Sequence, residues 1–480
     1  VHHKDMTNTE LTIAAYNNMA AQQDTVQSDP FRLHYHIMPP IGLLNDPNGF
    51  VYFQGQYHLF YQWNPFETKH GRKFWGHVIS DDLVHWKQAP IALAPDQWYD
   101  KDGCYSGSAV VHKDTMYVFY TGNVKDENGI RVSYQCLATS NDGLTFEKKG
   151  PIIHVPEGYT AHFRDPKVFQ KAGTWYMVIG AQTEDEQGAV VLYTSTDLEN
   201  WEFIGPFAGS KMNGFGEFGY MWECPDLFEL DGNDVLIFSP QGLEANGYLY
   251  NNIYQSGYVA GTLDTEKPAF AHGGFHELDR GFDFYAPQTT EDPKGRRLLF
   301  GWMGNAEEGD NRHPTIDHRW IHAMTIPRKV TWNDGKLLQQ PVEELKALRQ
   351  NKTTFQVVEG LEFVGSVFES EMLIQACHAD IFSIVIGKNK LTYNRTAGTF
   401  SMERQRFDGR GIEARHCRLT NLENIRIFKD TSSMEIFLNN GEEVFSSRMF
   451  DDADETRIVF QADGQIEATV HKWDLQKVLA

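Results

Sequence analysis

A short apolar–aromatic segment recurs five times in this chain, at residues 56–61, 116–120, 175–179, 235–238 and 297–300. With Tyr57, Tyr117, Tyr176, Leu236 and Leu299 as anchors, the spacings are 60, 59, 60 and 63 residues. Sixty residues hold about four strands of five or six residues with their turns. Four strands per repeat, five times over and without helical periodicity, predict a five-bladed β-propeller. A solenoid is the alternative, but its repeats are shorter.

A second element follows three of the anchors. Ser80-Asp81-Asp82-Leu83, Ser140-Asn141-Asp142-Gly143-Leu144 and Ser195-Thr196-Asp197-Leu198 each read as a polar turn that returns an apolar residue to the core. Their aspartates are turn formers rather than candidate catalysts. Upstream of each anchor stands a polar residue: Asp46, Ser106 and Asp165 precede theirs by 11, Glu223 by 13 and Tyr285 by 14. Blades surround one axis, so residues on their innermost strands converge, and the spacing predicts three carboxylates in one funnel.

The period ends after about Leu345. A helix-like stretch follows, opening at Pro341 as a first helical turn allows. Beyond it come alternating strand-like runs and the hairpin signal Asn439-Asn440-Gly441. The expected organisation is all-β: a helical N-terminal extension over 1–30, a five-bladed propeller over 31–340, a linker over 341–349 and a β-sandwich over 350–480. The amphipathic pattern around Leu11-Thr12-Ile13-Ala14-Ala15-Tyr16 predicts a helix packed on a blade.

A net charge of −22 opposes phosphate backbones and anionic membranes, which argues against nucleic-acid and membrane partners. Five cysteines without a CxxC pair argue against a disulfide scaffold or a zinc site. No cofactor and no metal is expected. His34 and His36 alternate in a strand-like run without a third ligand, so packing or hydrogen bonding is their expected role. No apolar run reaches the length of a membrane helix. The sequons at Asn351 and Asn394, with Val1 in place of Met, lean toward a secreted product.

The segments Asn45-Asp46-Pro47-Asn48-Gly49, Arg164-Asp165-Pro166 and Glu223-Cys224-Pro225-Asp226 each read alone as turns. Their shared register with the repeat sets them apart. Together with Gln62-Trp63-Asn64-Pro65-Phe66, Tyr105-Ser106-Gly107-Ser108 and Phe282-Asp283-Phe284-Tyr285-Ala286-Pro287-Gln288, they resemble glycoside hydrolase family 32, the family of invertases and sucrose-6-phosphate hydrolases. The bacterial sucrose-6-phosphate hydrolase type is the nearest in pattern, and that type is cytoplasmic. The resemblance covers nearly all of the chain after residue 30.

The resemblance implies a five-bladed propeller with a C-terminal sandwich and a retaining β-fructofuranosidase acting on a small sugar, sucrose or sucrose 6-phosphate. It matches Asp46 to the nucleophile, Glu223 to the acid/base and Asp165 to the transition-state stabiliser. Asn45, Gln62, Tyr105 and Ser106 are matched to fructosyl contacts, and Tyr285 and Trp302 to the pocket wall. Arg164 is expected to hold Asp165 ionised, and Trp222 to desolvate Glu223. Two carboxylates suit the chemistry, because a glycosidic oxygen needs a proton to leave while the anomeric carbon needs electrons from the other face.

Departures from the family pattern bear on specificity. Leu43-Leu44 stand where Trp-Met is frequent, and His70 stands where many members place a Trp. Lys69, Arg72 and Lys73 are the candidate contacts for a phosphate. The competing readings are fructosyl transfer through the same covalent intermediate, separable by product analysis at high sucrose, and a carbohydrate-binding propeller without catalysis, separable by a hydrolysis assay.

Overall fold

The structure is a computed structural model, and it describes residues 8–305, 312–452 and 456–478. The helix Asn8–Gln27 leads the chain. It buries Leu11, Ala15 and Val26. It is tied to the first blade where Asn18 donates to the Pro65 carbonyl and the Ile91 N–H donates to the Tyr16 hydroxyl.

Five sheets follow, each with antiparallel strands taken in chain order as the sixty-residue period demands, apart from Trp320–Ile321, which leaves the last blade and joins the first. Their innermost strands are Gly42–Phe53, Cys104–His112, Tyr159–Lys171, Met221–Leu230 and Tyr285–Glu291. Each neighbours the next, and the fifth lies beside the first, so the ring closes. Closure is reinforced by a parallel pairing of Gly42 and Leu43 with Trp320 and Ile321, a segment from the last blade's long excursion. Apolar layers fill the wedges between blades, for example Phe119, Phe163 and Met177, then Leu192, Trp222 and Phe238.

The three repeated turns are alike in detail. Asp82, Asp142 and Asp197 each accept a hydrogen bond from the serine two residues earlier, and each caps two following backbone N–H groups. They form turns, as expected of such residues.

Pro341 ends the strand Lys336–Pro341 instead of opening a helix. The short helix that follows, Glu343–Leu348, is a 3-10 helix preceded by extended Val342. Two six-stranded antiparallel sheets then pack face to face. Their facing side chains, among them Phe382, Ile384, Ile436 and Phe445, form a separate core. Asn439, Asn440 and Gly441 all have positive φ and turn the chain between Ser433–Leu438 and Glu443–Arg448.

The propeller and the sandwich meet along a charged seam. Arg328 donates to Glu435 at 2.9 Å, to Ser446 at 2.7 Å and to Gln339 at 2.9 Å, with Asp279 at 3.4 Å. His36 bridges Asp430 at 2.7 Å and Glu435 at 2.6 Å, a hydrogen-bonding role for a histidine that alternates in the sequence like a ligand.

Candidate active site

Every innermost strand carries a bulge at the same place. Leu44, Cys104, Arg164, Glu223 and Tyr285 each pair with the second strand of their blade. Three residues later the pairing resumes at Pro47, Gly107, Lys167, Asp226 and Gln288, having advanced only two on the partner strand. Two residues per blade are thereby left out of the ladder, and a bulge re-aims side chains in this way. Asp165, Cys224 and Ala286, each the first residue of its bulge, have φ of 69°, 48° and 49°.

This corrects the alignment drawn from spacing alone. Asp46 and Ser106 are the second residue of their bulges, and Asp165 is the first. Glu223 and Tyr285 stand one residue before theirs, level with Arg164 and not with Asp165. The three acids therefore leave three different steps of one repeated distortion. Their different backbone origins let them approach a common point from different heights.

They do meet. Asp46, Asp165 and Glu223 line one cavity of about 560 Å³, with Asn45, Gln62 and Ser106. The Ser106 hydroxyl donates to Asp46 Oδ2 at 2.8 Å. The Cys224 Sγ lies 3.5 Å from Asp46 Oδ2 and 3.5 Å from Asp165 Oδ2, so both carboxylates face the same thiol. The Cys224 N–H donates to Asp165 at 2.9 Å, and the Asp165 N–H to Thr121 at 3.0 Å.

Glu223 is held on both oxygens. Oε2 accepts from Arg164 Nη2 at 2.8 Å and Nε at 3.1 Å. Oε1 accepts from the Tyr285 hydroxyl at 2.6 Å and from Gln241 at 2.7 Å. Arg164 was expected to pair with Asp165. Instead its guanidinium engages Glu223 in the next blade, because residues on the same step of neighbouring bulges come side by side. Its charge still acts on Asp165 through space.

Burial and then the charge of Glu223 push the Asp46 carboxyl up to about 6, against the hydrogen bond from Ser106 and the charge of Lys73. Asp165 is also raised, first by burial and then by Glu223 and Asp46, with Arg164 opposing. At Asp46 and Asp165 burial outweighs the opposing charges of Lys73 and Arg164.

Trp222 was expected to desolvate Glu223. Its ring instead stacks on Phe238 at 3.9 Å in the interblade core and donates to the Phe218 carbonyl, since successive side chains of a strand face opposite ways. Trp302 pairs across the strand with Tyr285 and packs edge-on against His70 and His322. It is 2% exposed, so it and Tyr285 stand behind the cavity rather than forming its surface.

Gln62 is fixed by its amide nitrogen, which donates to Asn48 and to the Cys104 carbonyl at 2.9 Å each, leaving its carbonyl oxygen to offer a ligand. Asn45 accepts from Lys73 Nζ at 2.8 Å, and Lys73 also contacts His70 Nδ1 at 3.0 Å. Tyr105 carries the Arg131 guanidinium 5.6 Å above its ring. Gln241 is a contact that sequence reading did not single out. It follows the repeated apolar strand by three residues, which was the available signal. Among the described residues, no cluster of His, Cys, Asp and Glu is placed to hold a metal ion.

Two family models together match most of the chain: the glycosyl hydrolases family 32 N-terminal domain over residues 36–341 and the family 32 C-terminal domain over 344–476. A sucrose-6-phosphate hydrolase of Bacillus subtilis is 53% identical over 97% of this chain and 98% of its own. A Bombyx mori GH32 beta-fructofuranosidase, solved as a mutant in complex with sucrose, superposes with a TM-score of 0.89 at 34% identity, over 99% of this chain and 100% of that one. A sucrose-6-phosphate hydrolase from Lactobacillus gasseri superposes with the same TM-score, 0.89, at 32% identity over 99% of both chains.

Proposed function

This chain belongs to glycosyl hydrolase family 32, and from that membership we propose that it is a retaining β-fructofuranosidase cleaving the fructosyl bond of sucrose or sucrose 6-phosphate. The observation that carries the reading is the convergence of Asp46, Asp165 and Glu223 from three blades on one cavity.

Asp46 attacks the anomeric carbon of the fructosyl unit while Glu223 gives its proton to the glycosidic oxygen. The glycosidic bond breaks, the leaving hexose departs as an alcohol, and an ester joins fructose to Asp46. Glu223, now a carboxylate, takes a proton from water. The water oxygen bonds to the same carbon, and the Asp46 carboxylate is released. Two inversions give net retention.

The surroundings orient these groups. Asp46 at about 6 is ionised at neutral pH, as a nucleophile must be. Ser106 orients its Oδ2, and the Cys224 thiol sits between it and Asp165. Tyr285 and Gln241 fix Glu223 Oε1, while Arg164 fixes Oε2. Asp165, held by the Cys224 N–H, is placed to accept hydrogen bonds from fructose hydroxyls that tighten as positive charge develops on the ring.

Stereochemistry tests the proposal directly. The chain is incubated with sucrose and with sucrose 6-phosphate, and the first-formed fructose anomer is followed by NMR before mutarotation. The β-anomer appearing first is the expected result. The α-anomer first, or no hydrolysis of either sugar, overturns the reading.

A further inference from the structure

The innermost strands line two cavities, one toward each end of the propeller axis. The three acids line the first. The second, of about 450 Å³, is lined by the same five strands further along each, through Tyr52, Val110, Phe169, Phe228 and Glu291 among others. Between the two, buried polar side chains tie the strands together across the axis. Gln288 Nε2 donates to the Gly107 carbonyl at 3.0 Å, and its Oε1 accepts from the Phe50 N–H at 2.9 Å. The Ser108 hydroxyl donates to the Pro166 carbonyl at 2.8 Å. Asp226 Oδ2 accepts from the Thr289 N–H at 2.8 Å and from the Thr289 hydroxyl at 2.9 Å. Lys167 Nζ donates to the Thr289 carbonyl at 2.6 Å and lies 3.8 Å from Asp226 Oδ2.

Asp226, Lys167 and Thr289 are 1%, 7% and 0% exposed, and none of them lines the acid cavity. A buried ion pair gives little net stability, since apolar side chains of similar volume often serve as well. What this one holds is the segment Glu223-Cys224-Pro225-Asp226, which contains the bulge of the fourth blade. At one end, Glu223 is bonded by Arg164 of the third blade and Tyr285 of the fifth. At the other end, Asp226 is paired with Lys167 and bonded by Thr289, from the same two blades. Between these ends Cys224 meets both other acids, its N–H at Asp165 and its Sγ at Asp46 and Asp165. Cys224 has a φ of 48°, a conformation that persists only where its surroundings hold it.

We propose that Asp226, with Lys167 and Thr289, is a positioning group that sets the Glu223 carboxyl against Asp46 and Asp165 without touching the sugar. The proposal deepens the β-fructofuranosidase reading above and rests on it. A general acid works only within hydrogen-bond reach of the oxygen it protonates. A displacement of about 1 Å costs on the order of 10²-fold in rate.

The test measures kcat/KM on sucrose and on p-nitrophenyl β-D-fructofuranoside, in the wild type and in Asp226→Asn, Thr289→Val and Lys167→Met/Asp226→Asn, with the urea midpoint of each. The hexose of sucrose leaves only with a proton, whereas p-nitrophenolate leaves without one. Asp226→Asn is expected to lower the sucrose value by roughly ten- to a hundred-fold, part of the roughly 10²–10⁴-fold that a general acid supplies, and the aryl value by less than about three-fold. Thr289→Val keeps the backbone bond and the shape of the side chain, and lowers the sucrose value less, with the same preference. The double variant removes both charges while its amide still accepts from Thr289. Its urea midpoint returns toward that of the wild type, and its sucrose value does not. Equal losses on the two substrates mark a structural role and overturn the proposal. So does an unchanged sucrose value in Asp226→Asn, or its recovery in the double variant. Should Asp226→Asn fail to fold, Thr289→Val decides by the same comparison. A wild type that hydrolyses neither substrate sinks instead the reading on which the proposal rests.

Discussion

Two clusters of buried acids in this molecule look alike in composition and behave oppositely. In the funnel, Asp46, Asp165 and Glu223 lie near Arg164, whose guanidinium is bonded to Glu223, and the charge of Lys73 acts on Asp46. At the seam between propeller and sandwich, Asp430 and Glu435 receive both nitrogens of His36, and Glu435 also accepts from Arg328. Burial works against ionisation in both places. At the seam His36 and Arg328 overcome it, so Asp430 and Glu435 lie below the usual carboxylate range, and His36 itself is raised to about 9 by its two acids against burial. In the funnel burial wins, and Asp46 and Asp165 are raised. The seam is a structural device whose charges are matched. On the proposed mechanism, the funnel's acids are left raised because they are to attack and stabilise a cationic sugar.

The contrast fixes opposite pH dependences. Asp46 has a folded-state pKa above its ordinary 3.8, so its charge opposes folding at pH above about 6, and that burden is relieved as pH falls through about 6. Asp430 and Glu435 are depressed, so their contribution is present above the ordinary carboxylate range and is lost as pH falls through their lowered values. His36 contributes fully below 6.5 and its contribution is lost as pH rises through about 9.

Replacing one acid by its amide in each cluster breaks the comparison most severely. Asp46→Asn lowers kcat by at least about 10⁴-fold, the scale for loss of a nucleophile, and removes any trapped fructosyl ester seen by mass spectrometry. The same variant is more stable than the wild type at pH 7.5, by on the order of 1–3 kcal/mol, read as a higher urea midpoint. Glu435→Gln does the reverse. It leaves His36 and Arg328 with one partner fewer in a dry interface and lowers stability by roughly 3–5 kcal/mol. Equal stability changes of the same sign would show that the two clusters do not differ as described.

Asp165→Asn sharpens the comparison within the funnel. It keeps the bulge and can still accept from the Cys224 N–H, so the fold survives. It loses the charge that meets the oxocarbenium-like ring. A fall in kcat of about 10²-fold or more, with little change in KM, is expected. A change in KM alone would make Asp165 a ground-state contact.

How these regions could be read from sequence differs for the same physical reason. The funnel repeats every sixty residues because each blade contributes one innermost strand, so spacing alone brought Asp46, Asp165 and Glu223 together. Spacing misaligned the three acids by one to two residues, because the anchors stand at different distances from their hairpin turns: Tyr57 pairs with Tyr52, Tyr176 with Phe169 and Leu236 with Leu227. Arg164 was matched to Asp165, and Trp222 to Glu223, because each pair is adjacent in sequence. A one-residue step on a strand exchanges the face toward the ligand for the face toward the core. The seam had no period to reveal it. His36 lies 394 and 399 residues from Asp430 and Glu435, so their pairing depends on how two folded units dock. Gln241 lies between these extremes: it stands on the second strand of its blade, two residues past the partner of Glu223, as Gln182 stands two past the partner of Arg164.

The smallest expected effect concerns the hydrogen bond that partly offsets the funnel's unmatched charge. The Ser106 hydroxyl donates to Asp46 Oδ2 and lowers its pKa against burial and Glu223. Wild-type kcat/KM should therefore fall on the acid side as pH drops through about 6, where Asp46 takes up a proton and ceases to be a nucleophile. Ser106→Ala removes a hydrogen bond contributing about 1 kcal/mol, and one pH unit corresponds to about 1.4 kcal/mol. The acid limb then moves upward by roughly half to one pH unit. No equivalent shift is expected from Ser446→Ala at the seam, where the hydroxyl of Ser446 is a partner of Arg328 remote from the reacting atoms. An acid limb left in place by Ser106→Ala would mean that a group other than Asp46 sets it.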